Sequence, residues 1–471
     1  MTAVKHSRCL FCSLGCEVAF ETQLEEALAL EYTAGSALGG KLCSKGNYLL
    51  ELINHPQRLT VPRIAGNPVT WQKALEKTGE AVSGAAAAVV LSGDASVEDI
   101  RDARAFVDQC VSGGVLAIHA ATDDNRVYRA LSEVRCPNPP GNTTDIASSQ
   151  CIVAVGDPFE VGPVIARPVL DAKHRFGRDM VFAAISEEPN RTSRFAATHI
   201  GGSIRKTLAG LLGAVVASAG NNAPSWAKSL KLPGGLSGEP GIQSLAASLM
   251  SKPGAVLIPE AQDQVAAVLA SLIVEAAGPD VRLYPIFSYG NIAAIADTGL
   301  ADATVEDVSA AAVRGDLKTL IALGADVKRD PKCSGMFEHI DTVIAGAPFA
   351  NETVRSADVI LPTAVWLECA GTYGGAKLEP VVSPPGSAQC YGDILRKLAE
   401  TMGKPLKPAG EAKASGKDSR ESAIKRFLDT LGEQIGKPQE LPRFRSTTTK
   451  FGDGAITDMM SWFASQEREA W

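Results

Sequence analysis

Short, mostly apolar runs of four to seven residues recur along the chain. Most are closed by a Gly, Asp or Pro turn, and stretches of helical periodicity separate them. Residues 87–91 precede Ser-Gly-Asp, 151–155 precede Gly-Asp-Pro, and 180–185 precede Ser-Glu-Glu. The series continues with 281–287, 317–323 before Gly-Ala-Asp, 341–345, and 358–361 before Pro. Continuous rather than alternating apolarity marks strands buried on both faces, so the pattern predicts parallel sheets flanked by helices. Residues 69–79 carry apolar positions at helical spacing, with Thr70 as the expected N-cap. A strand followed by Gly-Asp or Ala-Asp appears more than once, without an exact internal repeat.

Two stretches interrupt the pattern. Residues 217–241 are rich in Asn, Ser, Pro and Gly, and 404–420 in Lys, Gly, Ser and Pro; both read as linkers or exposed loops. An amphipathic helix is expected near 421–431, within a tail whose mixed charge points to solvation.

Composition narrows the class. With 471 residues, 45% hydrophobic and 21% charged, the chain is too apolar for disorder and long enough for two to four domains. A net charge of −7 leaves no electrostatic footprint for nucleic acid. Only 6% aromatic residues, with abundant Ala and Gly, suits closely packed α/β layers. No long uncharged apolar run, apolar leader or twin arginine is visible. The expectation is therefore a cytoplasmic protein without a direct membrane span.

The ten cysteines are unevenly placed. Four form the pattern Cys9-x2-Cys12-x3-Cys16-x26-Cys43, while Cys110, Cys136, Cys151, Cys333, Cys369 and Cys390 stand singly and read as small buried hydrophobes. In a reducing compartment, clustered thiols point to metal before disulfide. Three thiolates on one tight loop, eased by Gly15, and a fourth presented after Gly39-Gly40 suit a [4Fe–4S] cluster or a structural zinc. Zinc commonly takes two Cys pairs; a lone fourth Cys favours iron–sulfur.

These residues resemble a family. Cys9–Cys16, then Lys41-Leu42-Cys43-Ser44-Lys45-Gly46, His55-Pro56-x-Arg58-Leu59-Thr60-x-Pro62 and Val69-Thr70-Trp71-x-x-Ala74-Leu75 are similar to the iron–sulfur domain of molybdopterin oxidoreductases, formate dehydrogenase catalytic subunits above all. Residues 153–158 through Arg191-Thr192, 288–300, 323–326, 357–362 and Trp366-x-Glu368-x-x-Gly371-Thr372-Tyr373 extend the likeness over about 6–402. Formylmethanofuran dehydrogenases and the large subunit of NADH dehydrogenase are similar in kind.

The resemblance implies an α/β fold: a small N-terminal iron–sulfur domain followed by two interleaved Rossmann-like parallel-sheet domains. Its expected divisions are 1–62 for the cluster domain, 63–118 and 271–403 for one α/β domain, 119–270 for the second inserted within it, and 404–471 for linker and tail. It further implies a [4Fe–4S] cluster on Cys9, Cys12, Cys16 and Cys43, and a molybdopterin guanine dinucleotide with molybdenum or tungsten. Lys45 would sit between cluster and pterin; a cation there raises the cluster's reduction potential. Gly156, Asp157, Gly324 and Asp326, as well as 201–203 and 374–375, are candidate phosphate-approaching turns, with plain turns as the alternative. Arg58 is expected to pack or form an ion pair.

Two features depart from the family. Formate dehydrogenases place a metal-ligating Cys or selenocysteine, followed by His, where this chain has 113–126 without cysteine. Asp123 or Asp124 falls nearest that position, where a carboxylate is an adequate hard ligand and a plain polar loop the favoured alternative; His119 is a candidate proton shuttle, with a satisfied strand or loop histidine as the favoured reading. Only about 85 residues follow Gly386, so a pterin-closing final domain is expected to be absent or on another polypeptide. Three readings follow. The chain is an iron–sulfur oxidoreductase subunit relaying electrons among other redox subunits with an incomplete pterin site. Alternatively, it is a metal-pterin-free structural subunit of a formyltransferase/hydrolase-type or NADH dehydrogenase-type complex, or a zinc-stabilised interaction protein.

Overall fold

The structure is a computed structural model describing residues 2–437 apart from 25, 34–37, 85, 120–123, 136–142, 234, 253, 255, 260–262 and 408–418. The chain opens with a three-stranded antiparallel sheet, Ala3–Arg8, Glu17–Gln23 and Glu26–Tyr32. Two short helices follow, Ser44–Asn47 and Leu49–Asn54. Phe11, Phe20, Leu49 and Leu52 form this unit's core together with Trp366 and Leu367 from far along the chain. The N-terminal unit is thus seated on the main body by shared apolar burial.

The larger sheet has seven strands in the order Asn67–Pro68, Arg63–Ile64, Val359–Pro362, Thr342–Ala347, Thr319–Leu323, Ala87–Ser92 and Val115–His119. The last five run parallel; the first two form an antiparallel edge. The second sheet is wholly parallel, in the order Thr198–Gly201, Val181–Ser186, Cys151–Val155, Val256–Pro259 and Arg282–Leu283. Its strands come from the chain between the two halves of the larger sheet. The fold is α/β, as the apolar runs predict. Every residue of Ala87–Ser92, Cys151–Val155 and Thr319–Leu323 is buried, because helices cover both sheet faces and leave neither face open to solvent. Thr70 caps helix Trp71–Gly84 through its hydroxyl, which accepts from Lys73 N at 3.3 Å.

Three expectations are corrected. The run at 281–287 supplies strand only at Arg282–Leu283. The tail helix, Arg420–Gly436, is docked rather than solvated. It buries Ala423, Ile424, Leu428, Leu431 and Ile435 in the core of the second sheet, and Arg420 reaches Glu275. Its apolar stripe outweighs its mixed charge because the body offers a matching apolar face. Finally, Cys369 and Cys390 are not separate core residues but a disulfide with Cα atoms 6.0 Å apart. A bridge between Thr363 and Gln389 returns the chain beside itself and brings them together. Cys110, Cys151 and Cys333 are buried free thiols, and Cys136 lies outside the described residues. The loop-like 217–241 stretch still buries Trp226, whose indole donates to Glu275 at 3.0 Å. Among the described residues, no helix is long and apolar enough to cross a membrane.

Candidate functional site

The first centre is built by a tight reversal. Cys9 N donates to Cys16 O at 2.9 Å, closing a loop in which Gly15 takes φ +56°. That left-handed conformation is cheap only without a Cβ. Cys43 stands before helix Ser44–Asn47, and its carbonyl accepts from Asn47 N at 3.1 Å. Cys9, Cys12 and Cys16 are buried, whereas Cys43 is half-buried.

The four thiols share one electrostatic neighbourhood. Burial pushes the Cys9 thiol well up, and the charges of Cys43, Cys12 and Cys16 add to it. Cys16 is likewise raised by burial, then by Cys12 and Cys43, with Lys45 opposing. Such buried thiols give up their protons readily once a bound metal centre supplies compensating charge. Among the described residues, no three His, Cys, Asp or Glu side chains converge on a single metal-ion position. Four thiols gathered from one tight loop and one distant segment are the donor set that supplies one sulfur to each iron of a [4Fe–4S] cluster. The donor set therefore fits [4Fe–4S].

Lys45 is buried at 5% exposure, and its Nζ donates to Val161 O at 2.9 Å. Val161 ends the helical turn Pro158–Val161, which follows Gly156-Asp157 at the carboxyl end of strand Cys151–Val155. One lysine thus reaches from the thiol centre to the second sheet.

The carboxyl ends of the larger sheet form the second centre. In α/β folds, ligands bind there, outside the strand ends. Ser92 Oγ, His119 Nδ1, Asp326 Oδ2 and Thr363 Oγ1 are buried without a hydrogen-bond partner. Each stands at or just beyond the end of a parallel strand: Ala87–Ser92, Val115–His119, Thr319–Leu323 and Val359–Pro362. Buried polar atoms are otherwise almost always paired, so a row of orphans at one end of a sheet is a candidate contact line for a polar ligand. The row suits the polar parts of a pterin dinucleotide. His119, expected to be a satisfied strand or loop histidine, is instead orphaned at Nδ1. Burial holds its pKa below the usual value, against the pull of Asp330, Asp326 and Glu306; its Nε2 lies 3.9 Å from Asp330 Oδ2. Burial raises the Asp326 carboxyl, against two bonds from Thr353 and the nearby His119.

Gly156 and Gly324 both turn with positive φ, +75° and +72°. A Cβ on Gly324 would meet the Tyr391 hydroxyl, so glycine is required there. Arg58 is a structural ion pair: it clasps Glu368 through two 2.7 Å bonds, with both side chains almost fully buried. Asp123 lies outside the described residues. Ser92, Thr363 and Asp330 were not legible as site residues, although a polar residue ending an all-apolar run, as Ser92 does, is a usable signal.

Comparison with known proteins bears on the family of the chain and of its N-terminal unit. The description "Molybdopterin oxidoreductase Fe4S4 domain" matches residues 2–55, and "Molybdopterin oxidoreductase" matches residues 58–401. The chain is 31% identical over 102 residues to F420-dependent formate dehydrogenase 2 subunit alpha of Methanococcus maripaludis, covering 21% of this chain and 15% of that protein. It is 23% identical over 465 residues to NADPH-Fe(3+) oxidoreductase subunit alpha of Geobacter sulfurreducens, covering 83% and 55%. The chain thus aligns with about half the length, or less, of these curated relatives. The fold is shared with acetylene hydratase from Pelobacter acetylenicus, at TM-score 0.64 and 13% identity, covering 92% of this chain and 72% of that one. A chain of the formyltransferase/hydrolase complex (FhcABCD) from Methylorubrum extorquens is also similar, at TM-score 0.53 and 13% identity, covering 73% and 98%.

Proposed function

The chain belongs to the molybdopterin oxidoreductase family, and from that premise we propose that it is an iron–sulfur subunit relaying electrons within a multisubunit redox complex. The observation that carries this reading is the buried Lys45, which faces the gathered thiols and reaches Val161 beside the second sheet. A fixed cation there offsets the charge that an added electron brings to the cluster, so it eases reduction. Cys9, Cys12, Cys16 and Cys43 hold the cluster. Ser92, His119, Asp326 and Thr363 hold polar groups of a pterin dinucleotide at the sheet edge. When bound, the pterin's metal supplies two-electron chemistry on a small substrate. Gly156 and Asp157 form the equivalent turn on the second sheet.

In this reading residues 1–62 form the cluster unit, 63–118 and the latter part of 271–403 one α/β unit, and 119–270 the other, which extends through helix Gln264–Ala277 to strand Arg282–Leu283 of the second sheet. The partners are further redox subunits, and the complex works in the cytoplasm. The names of the relatives support the multisubunit setting: two are alpha subunits, and one structure is a formyltransferase/hydrolase complex.

The test is metal and pterin analysis of the anaerobically purified complex, with EPR after reduction. The expected result is about four irons with matching acid-labile sulfide per chain, and a reduced-cluster signal. Its midpoint moves to more negative potential in Lys45→Met. One zinc without sulfide overturns the proposal. Molybdenum, tungsten and pterin contents measure how complete the second centre is.

A further inference from the structure

The Cys369–Cys390 disulfide lies on an aromatic route from the thiol centre. Phe11 is in the loop between Cys9 and Cys12, and its ring meets that of Trp366 edge-on at 5.5 Å. Trp366 is pinned by its indole N–H, which donates to Arg8 O at 2.9 Å, immediately before Cys9. Three residues after Trp366 comes Cys369. Both line a cavity of about 10 Å³, large enough for about one water molecule. Asp94, Asp99, Ala364, Tyr373 and Tyr391 complete its wall.

The two sulfurs are unlike. Cys369 is buried at 5% exposure, whereas Cys390 is half-buried and opens the helix Tyr391–Thr401. Cys369 therefore faces the aromatic route, while Cys390 is the more exposed member of the pair. Disulfides of reducing compartments are characteristically catalytic or redox-sensing.

We propose that Cys369–Cys390 is a redox-active disulfide reduced internally by the iron–sulfur cluster through Phe11 and Trp366. This rests on the cluster proposed above. Two successive one-electron deliveries return the reduced cluster to its oxidised state each time. Together they break the S–S bond. Two protons from water, one reaching the cavity and one the half-exposed side, convert the sulfurs to thiols. The electrons enter from a low-potential one-electron donor. The pair thereby stores two electrons supplied singly. The partner it fits is a dithiol/disulfide protein that exchanges with Cys390, the accessible sulfur.

The position also couples this chemistry to the second centre. Tyr391, next to Cys390, holds its hydroxyl against Gly324 and beside Ser92 at the sheet edge.

The test uses the anaerobic holoprotein, reduced with methyl viologen as a one-electron carrier and trapped with an alkylating agent for mass spectrometry. Cys369 and Cys390 are expected to become alkylated after cluster reduction. Trp366→Leu is expected to slow their appearance at least tenfold with the EPR signal of the cluster unchanged, and Trp366→Phe to restore most of the rate. Equal rates in wild type and Trp366→Leu, or a persistent disulfide beside a reduced cluster, overturn the proposal. If no cluster signal forms at all, it is the relay reading that fails. A small dithiol then reports separately whether the pair is reducible.

Discussion

Two turns that follow core strands, Gly156-Asp157 on the second sheet and Gly324-Ala325-Asp326 on the larger one, hold a threonine alike and differ in how the second carboxylate oxygen is met. On the second sheet, Asp157 is closed. Its Oδ1 accepts from Thr192 N and Oγ1 at 3.1 and 2.7 Å, and its Oδ2 from Arg191 N at 3.2 Å. On the larger sheet, Asp326 repeats the first half: its Oδ1 accepts from Thr353 N and Oγ1, both at 3.0 Å. Its Oδ2 is buried and makes no close hydrogen bond, although the Glu352 amide, the counterpart of Arg191 N, faces the carboxylate and helps hold its pKa down. The same local motif thus serves as a finished loop clamp in one place and leaves an acceptor open in the other. The open one sits beside His119, also incompletely bonded, at the end of a neighbouring region of the sheet. Motif identity is therefore a poor guide to role; the count of satisfied lone pairs is a better one.

Substitutions can break this contrast, and the buried Arg58–Glu368 pair sets its upper scale. Arg58→Met leaves a carboxylate uncompensated between the N-terminal unit and the larger sheet, and is expected to cost about 3–5 kcal/mol in chemical denaturation. Asp157→Ala strips two backbone amides and a hydroxyl of their acceptor, and should cost about 2–4 kcal/mol by the same measurement. Asp326→Asn keeps an oxygen for Thr353 and should change stability by less than about 1 kcal/mol. Equal losses at the two aspartates would erase the distinction between closed and open turns.

The smallest effect is the most diagnostic. Burial raises the Asp326 carboxyl in the folded state, so the folded protein binds more protons than the unfolded chain just above the ordinary carboxylate value. Stability therefore falls as pH rises from about 3.9 through the raised folded value, and is level above it. Asp326→Asn lacks this loss. Its urea midpoint relative to wild type should climb across that window and then flatten. A difference independent of pH would place Asp326 outside the buried site.

Much of the fold was legible because it depends on local pattern. All-apolar runs mark strands sandwiched between helices, and 87–91, 151–155 and 317–323 are core strands for that reason. The cluster motif was legible because three of its cysteines lie within one loop and glycines at 15, 39 and 40 permit the required turns. The failures were of another kind. The tail helix carries mixed charge in sequence, but its fate was set by the apolar face waiting for it on the body. Cys369 and Cys390 stand 21 residues apart without any motif, and only the return of the chain beside Thr363 pairs them.

The sequence by itself determined the α/β class, the four clustered thiols and the position of Lys45 just beyond the last of them. These follow from side-chain period and short spacing, which survive whatever the rest of the chain does. Tertiary structure alone decided that Lys45 is buried and reaches Val161, that Phe11 meets Trp366, and that His119, Asp326, Ser92 and Thr363 form one row. Each of those relations joins segments far apart in the chain, and only the packing of parallel strands fixes which segments become neighbours.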